Sequence, residues 1–251
     1  MNLVINLQKL AREAQGMSLL DFKPNDFSEI PYSVYSDEGI CNQEQRSVFQ
    51  GTTWNFLALD CEIPNLGDYK TEFVGNLPVI VVRDETNSVN AFVNRCAHRG
   101  NLVCIKNQGN LDRLTCVYHN WTYDLRGKLI SIAFEKGIQG KGGIAEDFDK
   151  NCHSLEKLRV ENYCGLIFGT FSEEVPSLPE YFGPKMCENI NRVLGRKMQI
   201  IGKYQHGLDG NWKLYMENVR DTYHATLLHS FMTTFRLNRL SMKGAVEVSQ
   251  G

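Results

Sequence analysis

Cys96-Ala97-His98 followed by Cys116-Val117-Tyr118-His119 constrains this chain more than any other feature. The pattern is Cys-x-His-x17-Cys-x2-His, so each of two short loops supplies one thiolate and one imidazole. Two thiolates can hold one iron of a 2Fe–2S unit while two imidazoles hold the other. Neutral ligands replacing anionic ones raise the potential above that of an all-cysteine ferredoxin. The same four side chains could surround a tetrahedral zinc. Zinc sites, however, usually draw two neighbouring cysteines from one loop and two neighbouring histidines from another. Such loops need a rigid scaffold, and β-structure provides one. Gly100 can take positive φ where the first loop folds back on itself. Tyr118 stands where a second cysteine could have tied the loops by a disulfide, and Cys104 reads as a small buried hydrophobe.

A second pattern lies downstream, in Asp221-Thr222-Tyr223-His224 with His229. At about 100° per residue, Glu217, Asp221 and His224 share one stripe of a helix, whereas His224 and His229 would stand about 140° apart. Both imidazoles reach one metal only if the helix ends or bends between them. Taken alone, the pair would suit ordinary helical histidines. Beside a cluster motif it reads as the site that receives the cluster's electron. Lone-iron oxygen-activating centres commonly use two histidines and one carboxylate, leaving positions open. Asp221 could in principle ligate, being one turn from His224.

The segments around these motifs read as strands and turns. Pro78–Arg83 and Val89–Val93 flank the turn-rich residues 84–88, and Trp121–Tyr123 and Lys128–Ile130 flank 124–127, which gives two hairpins. The first cluster loop therefore follows one hairpin and the second precedes another. Cys164–Phe171 reads as a buried strand, and Pro184 opens a helix with Met186, Ile190, Val193 and Leu194 on one apolar face and Gly195 as its stop. Gly137, Gly140, Gly142 and Gly143 with Lys136 and Lys141 form a basic loop lacking the framework of a phosphate site. Trp212, Leu214 and Tyr215 suit a core. Phe231, Met232, Phe235 and Leu237 could line an apolar cavity, and Arg236 or Arg239 could face a carboxylate, although a solvated arginine is the simpler reading.

At 251 residues the chain has material for one large or two smaller domains. A net charge of −2 exerts no pull on nucleic acid or an anionic membrane. Eight cysteines are far from disulfide-scaffold density, and ligand cysteines must be thiolates, so a cytoplasmic location is expected. The first residues lack the basic and apolar regions of an export signal, and no apolar run approaches the roughly 20 residues that span a bilayer.

Cys96-Ala97-His98-Arg99-Gly100, Cys116-Val117-Tyr118-His119-Asn120-Trp121 and Glu217–His224 with His229 resemble the large (α) subunit of Rieske-type aromatic-ring-hydroxylating oxygenases. The likeness runs from about Tyr32 to the last residue. The stretch from Asp221 to Ser241 is most similar to the branch acting on aromatic carboxylates, such as the terephthalate dioxygenases and salicylate hydroxylases. The resemblance implies an α+β chain: an all-β Rieske 2Fe–2S domain (45–170) inserted beside an incomplete, helix-grip-like catalytic domain (171–251), with 1–44 packing against the latter. It implies a 2Fe–2S cluster on Cys96, His98, Cys116 and His119, and a mononuclear non-haem Fe(II) on His224 and His229. The third ligand would be an Asp downstream of Gly251. Asp221 is then implied to link His119 of one subunit to His224 of the next. Dioxygen and an aromatic carboxylate are the implied substrates, with electrons from NAD(P)H through a flavin and iron–sulfur reductase, directly or through a ferredoxin. The implied assembly is a homotrimer, or three α with three small β subunits. A Rieske monooxygenase or demethylase would carry the same motifs, whereas a plain electron carrier would need only the first.

Overall fold

The computed structural model describes residues 30–221, 224 and 228–235, with the backbone alone at 232 and 233. Residues 42–204 form one compact unit, and the described residues of 1–41 and 205–251 form a second.

The first unit is built on a seven-stranded antiparallel sheet in the order β1-β10-β9-β4-β3-β2-β5. Its strands are β1 (Asn55–Leu59), β2 (Asp68–Val74), β3 (Leu77–Arg83), β4 (Val89–Val93), β5 (Gln108–Asn110), β9 (Lys157–Tyr163) and β10 (Leu166–Thr170). A smaller sheet holds β6 (Leu114–Thr115), β7 (Thr122–Tyr123) and β8 (Leu129–Ser131) in that order. Both expected hairpins are present, β3–β4 and β7–β8.

The unbroken apolar run in β3 has a physical reason. Side chains alternate across a strand, so Val79 and Val81 enter one hydrophobic cluster with Ala58, Ala91 and Leu158. Ile80 and Val82 enter another with Tyr69, Phe92, Leu114 and Leu129. A strand buried on both faces keeps no polar side. This second cluster also contains Cys96, Cys116, Trp121 and Tyr123, so the sulfur ends of both cluster loops are part of the core. Gly127 closes the β7–β8 turn at φ +83°, where a Cβ would stand 2.5 Å from the Phe92 ring, and only glycine meets both demands.

The compact sheet unit runs on to residue 204 and so includes 171–204. The helix Leu178–Leu194 is stitched to β9: the Leu178 amide donates to Glu161 Oε2 at 2.8 Å and Asn191 Nδ2 donates to the Tyr163 hydroxyl at 2.8 Å. This helix bends at Gly183, with φ 71°, so Pro184 opens its second half rather than the whole. Of the face expected to pack, Met186 and Val193 are exposed, because the anchoring contacts come from Leu178 and Asn191. Among the described residues no helix is long and apolar enough to cross a membrane.

In the second unit the described elements are helical, including Ser33–Ser36, Trp212–Arg220 and Ser230–Thr234. The Tyr35 hydroxyl donates to Glu217 Oε1 at 2.5 Å, and Asn211 Nδ2 donates to the Tyr35 carbonyl at 2.9 Å. Trp212, Leu214 and Tyr215, expected in a core, are exposed, because the described part of this unit places little against them.

The β3–β4 turn supplies a stability test. Asp84, its side chain 4% exposed, accepts from Thr86 and Ser88 amides, the Thr86 hydroxyl and Asn90 Nδ2. Burial pushes its carboxyl up, but these hydrogen bonds outweigh burial and hold it below the usual carboxylate range. A depressed folded pKa gives stability that is full above the unfolded value of about 3.9 and is lost as pH falls through the folded value. Asp84→Asn should cost on the order of 1–3 kcal/mol at neutral pH and flatten the acid loss of stability. Urea unfolding across pH measures both; parallel curves for the two proteins would contradict the assignment.

Candidate metal centres

The two cluster loops are built alike. In the first, the Cys96 amide donates to the Asn101 carbonyl and the Gly100 amide to the Cys96 carbonyl, each at 2.8 Å. In the second, the Cys116 amide donates to the Trp121 carbonyl and the Asn120 amide to the Cys116 carbonyl, each at 2.9 Å. The fourth residue after each cysteine takes positive φ, Gly100 at 71° and Asn120 at 51°. Asparagine tolerates that region better than most residues, so Asn120 does in its loop what Gly100 does in the other.

This geometry turns sulfur inward and imidazole outward. Cys96 and Cys116 are 4% and 1% exposed. His98 and His119 lie nearer solvent, their Nδ1 atoms 3.1 Å apart, one donating to the other. Two nitrogens about 2.1 Å from one tetrahedral ion stand roughly 3.4 Å apart, so this imidazole pair fits a single iron. Among the described residues no three His, Cys, Asp or Glu side chains form a group that could hold one ion. A zinc centre needs all four donors at one point; a two-iron core takes them as two separate pairs, and the two imidazoles form one such pair.

The surroundings suit such a core. The Ala97 amide donates to the Tyr123 hydroxyl at 3.1 Å, and the same hydroxyl lies in hydrogen-bond contact with Cys96 Sγ at 3.2 Å, placed to donate to a thiolate there. Burial pushes the Cys96 thiol up, with Cys116 adding to the rise, while Tyr123 and the His98 amide oppose it. Burial lowers the His98 pKa, and His119 and Arg99 lower it further, so the ring is neutral, as a ligand must be. Cys104, 4% exposed and pushed by burial to about 12, is the inert hydrophobe expected. All eight cysteines are free.

In the second unit, His224 and His229 bring their Nε2 atoms to 3.3 Å. The helix Trp212–Arg220 stops at Asp221, whose φ of −73° and ψ of 102° are extended, so the single helical stripe through Glu217, Asp221 and His224 does not form. His229 is itself non-helical, just before Ser230–Thr234, which supplies the expected break between the histidines. Asp221 Oδ2 lies 3.3 Å from His224 Nδ1, on the ring edge away from His229. That Nδ1 is buried and lacks a well-aligned hydrogen bond, so the carboxylate beside it is its available partner. Asp221 thus sits behind His224 rather than in a shared coordination sphere, against direct ligation. Phe231 and Phe235 are exposed, their rings 4.7 Å apart. Arg236, Leu237 and Arg239 lie outside the described residues.

Several contributors carried no sequence signal. Asn94, 2% exposed, accepts the Val103 and Cys104 amides at Oδ1, both at 2.9 Å, and donates from Nδ2 to the Cys104 carbonyl at 2.7 Å. One side chain thereby fixes the return of the first loop. Tyr123 and Trp121 are similarly set by tertiary packing.

Residues 53–140 match the Rieske [2Fe-2S] domain family, and this segment is such a domain. The chain is 49% identical over 223 residues to the terephthalate 1,2-dioxygenase terminal oxygenase component subunit alpha 2 of Comamonas sp., covering 89% of this chain and 54% of that protein. It is 48% identical to the anthranilate 1,2-dioxygenase large subunit of Burkholderia cepacia, covering 88% and 52%. The crystal structure of naphthalene 1,2-dioxygenase from Rhodococcus sp. bound to indole superposes with a TM-score of 0.71 at 31% identity, covering 82% of this chain and 47% of that one. Over most of its length the chain is similar to the large (α) subunits of Rieske-type aromatic-ring-hydroxylating oxygenases, and it spans about half the length of the curated relatives it matches.

Replacing Asn94 by Ala removes three hydrogen bonds at a buried site, which should cost on the order of 2–4 kcal/mol. Hydrogen exchange at the Val103 and Cys104 amides should accelerate well beyond the global change. Unaltered protection there would show that another group holds the loop.

Proposed function

We propose that this chain acts in the terminal oxygenase of a multicomponent Rieske system that hydroxylates an aromatic carboxylate of the terephthalate, benzoate or salicylate class. Cys96 and Cys116 are assigned to one iron of the cluster, and His98 and His119, through Nδ1, to the other. His224 and His229 are assigned, through Nε2, to a mononuclear ferrous ion, with a carboxylate from outside these residues as third ligand. When bound, the cluster supplies single electrons and the lone iron the place where dioxygen is reduced.

The observation that carries this reading is the Asp221–His224–His229 arrangement. An electron carrier needs the cluster loops alone; it has no use for a second pair of imidazoles 3.3 Å apart. With Asp221 Oδ2 3.3 Å away, a proton on His224 Nδ1 would be favoured, and Nε2 would then present its lone pair on the side of His229. A carboxylate can accept from two imidazoles, and the reading gives its second bond to His119 of a neighbouring copy. Support comes from the rim of the cluster loops, where Leu102, Val117 and Tyr118 are exposed apolar side chains suited to a protein surface. A homotrimer, with or without small β subunits, would bring the two centres together.

Electrons would come from NAD(P)H through a flavin and iron–sulfur reductase, directly or through a ferredoxin. The substrate class rests on the terephthalate and anthranilate relatives. Eight unpaired cysteines favour the reducing cytoplasm.

Product analysis on a panel of terephthalate, benzoate, anthranilate and salicylate should find a cis-dihydrodiol or a phenol from at least one; consumption of none would refute the substrate class. Asp221→Asn should leave iron and sulfide contents unchanged and reduce coupled turnover by at least about a hundredfold, at the upper end for groups behind metal ligands. Near-native turnover would remove Asp221 from the electron path.

A further inference from the structure

Trp121 lies flat on a proposed cluster ligand. Its indole is 4.9 Å from the His98 imidazole between centroids, with an interplanar angle of 10°. Among the described residues no such plate covers the other histidine: His119 meets the exposed Tyr118 at 3.8 Å with a tilt of 37°. The two imidazoles of the pair are therefore held differently.

Trp121 is itself fixed from several sides. It is 6% exposed and belongs to the core cluster beneath the loops. Phe148 and His153 meet it edge-on, at 5.9 Å and 82° and at 5.8 Å and 73°. Those two rings stack on one another at 4.3 Å and 26°. His153 is anchored by Nδ1 against the Asp149 carbonyl at 2.9 Å, at the end of a short turn that Asp149 caps by accepting the Asn151 amide. A segment some thirty residues along the chain thus braces the indole.

A tryptophan serving only to fill the core needs no particular angle to the imidazole above it. At 4.9 Å and 10° the two rings are offset and parallel, one of the two arrangements aromatic pairs favour, and this leaves His98 little freedom to tilt without separating the two faces. The plane of His98 is also what directs its Nδ1 at the Nδ1 of His119, 3.1 Å away. We infer that Trp121, braced by Phe148 and His153, is a positioning residue that sets the ring plane of His98, shields one face of it from water, and so tunes the cluster's environment. The inference rests on the assignment of His98 to the cluster but not on oxygenase activity.

The test uses the purified full chain with its cluster and compares Trp121→Phe, Trp121→Leu and His153→Ala. The readouts are the EPR spectrum of the reduced cluster, its reduction potential, the rate of iron loss to a chelator, and thermal stability. Trp121→Leu should shift and broaden the EPR lines, move the potential and speed iron loss by about tenfold, the scale for partners behind metal ligands. Trp121→Phe keeps a flat ring and should recover most of each value, and His153→Ala should fall between. Spectra and potentials that match the native protein in Trp121→Leu, with only thermal stability lowered, would make Trp121 a core filler and overturn the inference. Because no substrate or turnover enters, that outcome is separate from any failure of the oxygenase reading.

Discussion

The structure depends on one constraint: two cysteine sulfurs must be buried while the two histidines beside them reach outward. A buried thiol resists ionisation, as the raised pKa of Cys96 shows, so something must stabilise negative charge at sulfur. The fold answers with a pair of matched turns. In each, the cysteine amide and carbonyl are engaged by residues four and five positions later, and the chain reverses at a positive φ. Tyr123, which accepts the Ala97 amide, sets its hydroxyl 3.2 Å from Cys96 Sγ, where it can donate to a thiolate. Strand β3 beneath is buried on both faces, and the turns also meet each other through His98–His119 and Asn101–Cys116.

The second centre follows a different logic. A continuous helix would have spread His224 and His229 around its circumference. The chain instead leaves helical geometry at Asp221, and His229 is non-helical as well. The same residue that ends the helix places its carboxylate behind His224, so this backbone break sets a carboxylate against one imidazole of the pair. In the proposed scheme this ties catalytic wiring to a helix terminus, where an extended residue costs little.

Much of this was legible in the chain. Residue spacing pointed to two matched loops, each with one cysteine and one histidine, the β-rich flanks gave both hairpins, and the helical angle between His224 and His229 required a break. What was not legible depends on contacts distant in sequence. Asn94 looks like any loop asparagine until its side chain closes on Val103 and Cys104. Trp121 reads as the end of the second motif and the start of a hairpin strand, and its parallel contact with His98 exists only once both turns are formed. The placement of residues 171–204 with the sheet unit rests on Leu178 and Asn191 meeting β9, which no local pattern encodes. The expected core role of Trp212, Leu214 and Tyr215 came from composition and took no account of what packs against them.

The central claim is that two sulfurs and two imidazole nitrogens share one cluster as separate pairs. Pulsed EPR on the dithionite-reduced protein tests it most directly. The account predicts a 2Fe–2S signal with hyperfine coupling to two imidazole nitrogens, one of which disappears when His98 alone is replaced by cysteine. A colourless zinc protein, or a cluster signal without nitrogen coupling, would contradict it.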